Sequence, residues 1–218
     1  MRKVSDAVRE KLLRCEPELL CLGNGVLNLS AFAKQIQKDI ESATMKPVKL
    51  GTIVASLARL ERELGTLEPI ATPVRLLDIA VKSGLCEIAF EQSETNREHL
   101  QNLYALQRFS ASEFFTATHG VGELAVVTSE KLKNTVLDTF QQCKPKLLLG
   151  GLCALTLRFE EHYINEPGQT FWLVKRVAVE RINIIEVIST FTELTFILQE
   201  RDINKAFSLF TPFLKSQQ

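Results

Sequence analysis

Chemistry has few footholds in this sequence. The three histidines, His99, His119 and His162, stand far apart, and none has a cysteine or second histidine at ligand spacing. The five cysteines, Cys15, Cys21, Cys86, Cys143 and Cys153, form no CxxC pair, so the expectation is reduced thiols and no metal. No GxSxG, phosphate-binding loop or dinucleotide fingerprint occurs. The nearest glycine cluster, Gly150-Gly151, leads into no helix and is expected to join two apolar strands at a turn. These absences predict a protein that is not an enzyme and takes no cofactor. One loop stands out instead: "INEPGQT", Ile164 to Thr170, between the β-leaning run "LCALTLRF" and the helically spaced "FWLVKRVAV". Asn, Glu, Pro and Gly are ordinary turn residues, so the loop reads either as punctuation or as a place built to hold something. Trp172, the sole tryptophan, just beyond it, is expected in the core.

The composition is that of a globular protein, with 45% hydrophobic residues and 26 Lys and Arg balancing 26 Asp and Glu over 218 residues. A net charge of zero lacks the basic balance typical of nucleic-acid binders. The first residues, "MRKVSDAVREKLLRC", alternate charge and hydrophobe at helical spacing, unlike a signal peptide. The longest apolar run, Leu147 to Leu157, is about half of what a membrane helix needs. A cytoplasmic protein with no membrane partner is the expectation.

The elements that must position the loop fall into two regions of different period. Up to Leu64 the pattern is helical. Ser5 and Asp6 suit the start of a helix that Pro17 ends; Ser30 suits the cap of a second, with Phe32, Ile36 and Ile40 as its apolar stripe; Ile53, Leu57, Leu60 and Leu64 line a third. Three short helices over residues 1–68 have the raw form of a helix-turn-helix module. In a DNA-binding version, Lys46, Lys49, Thr52, Ser56 and Arg59 would read the groove, with Lys34 and Lys38 on the backbone. The module carries eleven Lys and Arg against nine Asp and Glu, a thin surplus for that task. A protein-contact or dimerisation module is the other reading.

"GTLEPIAT", Gly65 to Thr72, reads as a linker. Beyond it the chain repeats itself. Gly84-Leu85-Cys86 matches Gly151-Leu152-Cys153, and about seventy residues separate Glu123, Leu124, Glu130, Asn134 and Phe140 from Glu193, Leu194, Glu200, Asn204 and Phe210. The expected units span 73–149 and 150–218. The first has strands at Gly84 to Glu91, Phe114 to Thr118 and Glu123 to Thr128, with helices at Glu94 to Gln107 and Glu130 to Gln142. In the second, strands at Leu152 to Glu160, Asn183 to Thr190 and Glu193 to Gln199 alternate with helices at Pro167 to Glu180 and Arg201 to Leu214. A fourth strand for each comes from Leu77 to Val81 and Pro145 to Leu149, giving βαββαβ with helices on one face of an antiparallel sheet.

From "PGQT" to "SLF" the second unit resembles an ACT domain of the aspartokinase type. The resemblance rests on Pro167-Gly168, Ile182-Asn183-Ile184, Ile188-Ser189, the apolar run Leu194 to Leu198 and Asp202. It covers Gly151 to Leu214 well and Gly84 to Gln142 weakly, and the kinase domain that usually accompanies such tandems is absent. The implied fold class is α+β: a small helical, helix-turn-helix-like domain followed by two ferredoxin-like ACT units. The implied function is non-catalytic regulation through an amino-acid effector. The alternatives are a DNA-binding regulator and a structural regulatory subunit of a separate enzyme. In the implied site, amides near Gly168 and Gln169 receive a carboxylate at a helix start. Asn165 and Glu166 supply complementary charge there, and Asn183 with Ile184 approaches the amino group. A homodimer through the ACT sheets is the expected assembly.

Overall fold

The computed structural model describes residues 2–64, 74–106, 113–140 and 143–215. The expected linker and the helix ends at Gln107 and Gln142 lie outside the described residues. The chain divides into two compact units, Met1–Ile70 and Ala71–Gln218.

Among the described residues the first unit has four helices, α1 (Val4–Leu13), α2 (Glu16–Gly23), α3 (Leu29–Thr44) and α4 (Leu50–Leu64), where three were expected. Pro17 does end α1, yet it also sits in the first turn of α2, where its missing N–H costs nothing. Asn28, not Ser30, caps α3: its Oδ1 accepts from the Ala31 amide at 3.0 Å. The heptad-like stripe is real, because Phe32, Ile36 and Ile40 of α3 are buried with Ile53, Leu57 and Leu60 of α4 and Val8 and Leu12 of α1. Side chains of α3 hold the α3–α4 turn. Gln37 Nε2 donates to Val48 O at 2.9 Å, and the Val48 amide donates to Glu41 Oε1 at 3.0 Å.

The second unit is an α+β fold on one six-stranded antiparallel sheet. In chain order it runs β1 (Leu76–Glu91), α5 (Glu94–Leu106), β2 (Phe115–His119), β3 (Glu123–Ser129), α6 (Lys133–Thr139), β4 (Leu147–Phe159), α7 (Gln169–Val179), β5 (Glu186–Ser189), β6 (Glu193–Gln199) and α8 (Ile203–Phe210). The strand order is β2-β3-β1-β4-β6-β5. The expected fourth strands are not separate elements, and Gly150-Gly151 is no turn between strands. Leu77 to Val81 is the first half of the long β1, and Leu147 to Leu149 opens the long β4, which continues as one strand past the glycines. The two long strands pair with each other along their lengths. The second half of β1 also pairs with β3, and the second half of β4 with β6. Each repeat therefore obtains its fourth strand from the shared pair.

Near the centre of that pair Leu85 faces Leu152, with register shifts on either side. Gly84 and Gly151 lie in the left-handed region, at φ 71° and 66°, which glycine enters without a Cβ clash. The amide each kink frees is taken up reciprocally. Gly84 N donates to Glu200 Oε1 at 2.9 Å, and Gly151 N donates to Glu130 Oε1 at 3.4 Å. A Cβ on Gly150 would lie 2.5 Å from the same Glu130 oxygen.

Alternation along the strands sorts the core. Cys86, Ile88 and Phe90 pack with Leu100 and Leu103 of α5 and with Val136 and Phe140. Cys153, Leu155 and Leu157 pack with Leu173 and Val177 of α7 and with Ala206 and Phe210 of α8. All five cysteines are free, and burial pushes the Cys86 and Cys153 thiols up to about 11. The opposite face carries Leu85, Val127, Leu152, Ala154 and Ile197, with no helix among the described residues packed over them. It is covered by curling: Thr118 Oγ1 on edge strand β2 donates to Glu186 Oε1 on the other edge strand, β5, at 3.0 Å. Inside the curl sits Glu87, 7% exposed, whose carboxyl pKa is raised first by burial and then by the charge of Glu186. Neither Glu87 Oε2 nor Glu186 Oε2 has a hydrogen-bond partner.

A raised folded-state pKa means that the folded chain holds the Glu87 proton more tightly than the unfolded chain does. Stability is therefore lost as pH climbs above the ordinary carboxylate value. Glu87→Gln is expected to stabilise the chain at pH 7 by on the order of 1 kcal/mol, relieving an unpaired buried carboxylate. That corresponds to a melting temperature higher by about 2–4 °C. The gain should vanish below about pH 4, where the wild-type carboxyl is protonated in both states; thermal melts at the two pH values check both halves.

Candidate ligand-binding site

The two repeats leave their first strands differently. After β1 the chain spends only Gln92 and Ser93 before α5 begins, and Ser93 Oγ accepts from the Asn96 amide at 3.1 Å. After β4 it spends nine residues, Glu160 to Gly168, and folds a 3-10 turn over Glu161–Asn165 before α7 starts. The hairpins beside these loops are alike. Gln92 N donates to Gly122 O at 3.0 Å, and Phe159 N donates to Thr192 O at 3.0 Å. The longer loop in the second repeat thus stands beside the same hairpin and leaves a cavity of 460 Å³.

Gly168 turns the chain into α7 at φ 88°, and no side chain caps that helix. Pro167 therefore lies in the turn before the helix rather than in its first turn. Gln169, Thr170 and Phe171 line the cavity from the start of α7. First-turn amides of a helix lack intrahelical acceptors and carry the positive end of its dipole. Gln169 is 9% exposed; its Nε2 donates to Glu166 Oε2 at 3.0 Å, while its Oε1 is buried without a partner. Glu166 Oε1 lies 3.6 Å from His162 Nε2. The remaining wall is apolar, with Phe159, Tyr163 and Ile164 from the loop side and Phe191 from the β5–β6 hairpin, beside Ser189 and Thr190. The Tyr163 hydroxyl accepts from the Arg75 amide at 2.9 Å, which fixes the ring. Glu160, outside the lining, is held below the usual carboxylate range by Lys215, 3.1 Å away.

Of the residues expected here, Glu166, Gly168 and Gln169 line the cavity. Asn165 is exposed and lies between two lining residues without lining it. Asn183 and Ile184 are not brought to it. They follow the far end of α7, about 15 Å of helix away; Asn183 is exposed and Ile184 packs on the core. Asn183 also precedes β5, which begins at Glu186. The sequence reading missed the aromatic wall. Its one available signal was the exposed Phe191 at a hairpin position where the first repeat has Val121.

Two other places bear on the expectations. Trp172 is partly buried on the core, with the Arg176 guanidinium 3.7 Å above its ring, and both line a second cavity of 340 Å³ between α7 and α8. In the helical unit, Lys46 and Lys49 lie in the α3–α4 turn, and Thr52 is exposed in α4. Ser56 instead faces the core and donates to Thr52 O at 2.8 Å, and Arg59 pairs with Glu63 at 3.5 Å. Among the described residues no group of three His, Cys, Asp or Glu is placed to hold a metal, and no helix is long and apolar enough to cross a membrane.

No protein-family profile matches the chain, and no curated protein does. Solved structures do match. Aspartate kinase from Clostridium acetobutylicum superposes on 69% of this chain at a TM-score of 0.53 and 15% identity. A chain of the aspartokinase alpha and beta subunits superposes on 63% at 0.51 and 11%, and the regulatory subunit of aspartate kinase from Thermus flavus on 64% at 0.51 and 10%. This chain shares its fold with aspartokinase regulatory subunits. It spans 37% of the Clostridium kinase, but 97% and 98% of the two subunit chains.

Gly168→Ala forces a side chain into the left-handed region and is expected to cost about 1–2 kcal/mol. Urea unfolding would measure it, and a cost near zero would mean that the turn into α7 relaxes to another conformation.

Proposed function

We propose that the chain is a non-catalytic regulatory protein that senses a small metabolite with an α-amino-acid head group in the cavity at the start of α7. The observation that carries this reading is Gln169: nine-tenths buried, with an unpartnered Oε1, at the uncapped start of a helix that opens on a 460 Å³ cavity. A buried acceptor without a donor is costly; Oε1 is closed to solvent, so an ammonium group reaches it only as the Gln169 side chain turns toward the cavity, where Glu166 pairs with the same group. A carboxylate would take the amides at the start of α7. The fold shared with regulatory subunits supports the same reading. The organisation is a helical module over residues 1–68 followed by repeats over 73–149 and 150–218. The ligand set is Glu166, Gly168 and Gln169, with Asn165 flanking. Binding biases one arrangement of the second unit, which the linked helical module reads out.

Thermal-shift screening of the full chain against the standard amino acids tests this. A ligand at a hundred times its Kd stabilises by about 2.7 kcal/mol, a rise of about 5–10 °C for a chain of this size. Gln169→Ala should remove the rise while the unliganded protein still melts cooperatively. A blank screen would sink the sensing reading and leave a structural subunit that steadies a separate enzyme.

A further inference from the structure

The geometry points to a large apolar or aromatic side chain on the amino acid that this cavity takes. The inference rests on the head-group reading above and concerns what remains once the head group is placed. Four groups then face the ligand's side chain: Phe159, Ile164, Phe171 and Phe191. Ile164, Phe171 and Phe191 are 58%, 38% and 56% exposed. They are large apolar groups held in water around one opening, and covering them releases hydration water. Among the described residues the lining holds no lysine or arginine, and Lys175 Nζ stands 5.3 Å from the centre of the Phe171 ring without lining the cavity, so an acidic side chain would lose hydration with no counter-charge in the lining. Among the described residues Glu166 is the one charged group in the lining, and its two oxygens already face Gln169 Nε2 and His162 Nε2. A lysine side chain would compete with its own α-ammonium for that single carboxylate. The Tyr163 hydroxyl is already engaged by the Arg75 backbone amide. The wall therefore discriminates by what it lacks as much as by what it presents.

The test is calorimetric titration of the full chain with L-phenylalanine, L-leucine, L-lysine and L-aspartate. Phenylalanine and leucine should bind at least about tenfold more tightly than lysine or aspartate. Phe171→Ser and Phe191→Ser should each weaken phenylalanine by about tenfold, and Phe171→Leu should restore most of the affinity. The unliganded melting temperature should barely move, because both rings are already solvent-exposed. Lysine or aspartate binding as tightly as phenylalanine would overturn the inference and leave the amino-acid reading standing. Equal affinity of wild type and both serine variants would also overturn it, by placing the apolar ligand elsewhere. If none of the four binds, the head-group reading itself fails, and this inference with it.

Discussion

Everything in the second unit hangs on the antiparallel pairing of β1 with β4. A three-stranded repeat with two helices on one face has an unpaired inner edge, and such an edge must be covered. Here each repeat covers the other's. The first half of β1 pairs with the part of β4 that belongs to the second repeat, and the opening of β4 pairs with the part of β1 that belongs to the first. Two long strands that twist and coil over 16 and 13 residues must bend somewhere. Both bend at matched glycines with positive φ, and each kink's free amide finds a glutamate from the opposite repeat. Glu130 and Glu200 are matched residues of the repeat. The lock is therefore one interaction used twice about an approximate twofold centred on Leu85 and Leu152.

Against that symmetry, the difference between the loops gains meaning. With the strands and hairpins held in equivalent positions, extra chain in one repeat cannot be absorbed by a shift of register, since slipping one residue would turn the core face outward. The seven additional residues of the second repeat must be accommodated where they enter, above the end of β4. They do so by packing Tyr163 inward and leaving the start of α7 uncapped. In the first repeat Ser93 supplies the cap instead, and Asn96 Nδ2 donates to Glu91 O at 2.7 Å. "INEPGQT" is accordingly the closing half of an insertion.

How much of this could be read in advance follows from the range of the interactions involved. Elements set by local periodicity were legible: the stripes on α3 and α4, the helical spacing of Phe171 to Val179, and β6 at Glu193 to Gln199 to the residue. The errors arise where a local signal has two meanings. Pro17 ends one helix and begins the next. Gly150-Gly151 looks like a turn but marks a bend inside a strand whose partner is some seventy residues away. Of the cavity, Glu166, Gly168 and Gln169 lie in one short stretch and were visible, while Ser189 and Thr190 were not. The aromatic wall gathers Phe159, Phe171 and Phe191 from three elements, and no spacing connects them. Asn183 and Ile184 came from resemblance to a pattern, and the length of α7 puts them at the wrong end. The curl of the sheet, which brings Glu87 toward Glu186, has no local signature at all.

The curl also gives the cavity a mechanical context. Strand β5 is four residues long and hydrogen-bonded to a single neighbour, β6. Its last residue and the two that follow, Ser189 to Phe191, form one wall of the cavity, while its first, Glu186, meets β2 through Thr118 and faces Glu87. A strand rises about 3.3 Å per residue, so wall and clasp are about 10 Å apart on one short extended segment. Such a segment does not shorten or bend to isolate its ends. An occupant that presses on Phe191 acts on the edge strand whose other end closes the curl, against one neutral-donor hydrogen bond and a pair of like-charged carboxyls. That clasp is opposed from within, because Glu87 and Glu186 repel wherever both are ionised.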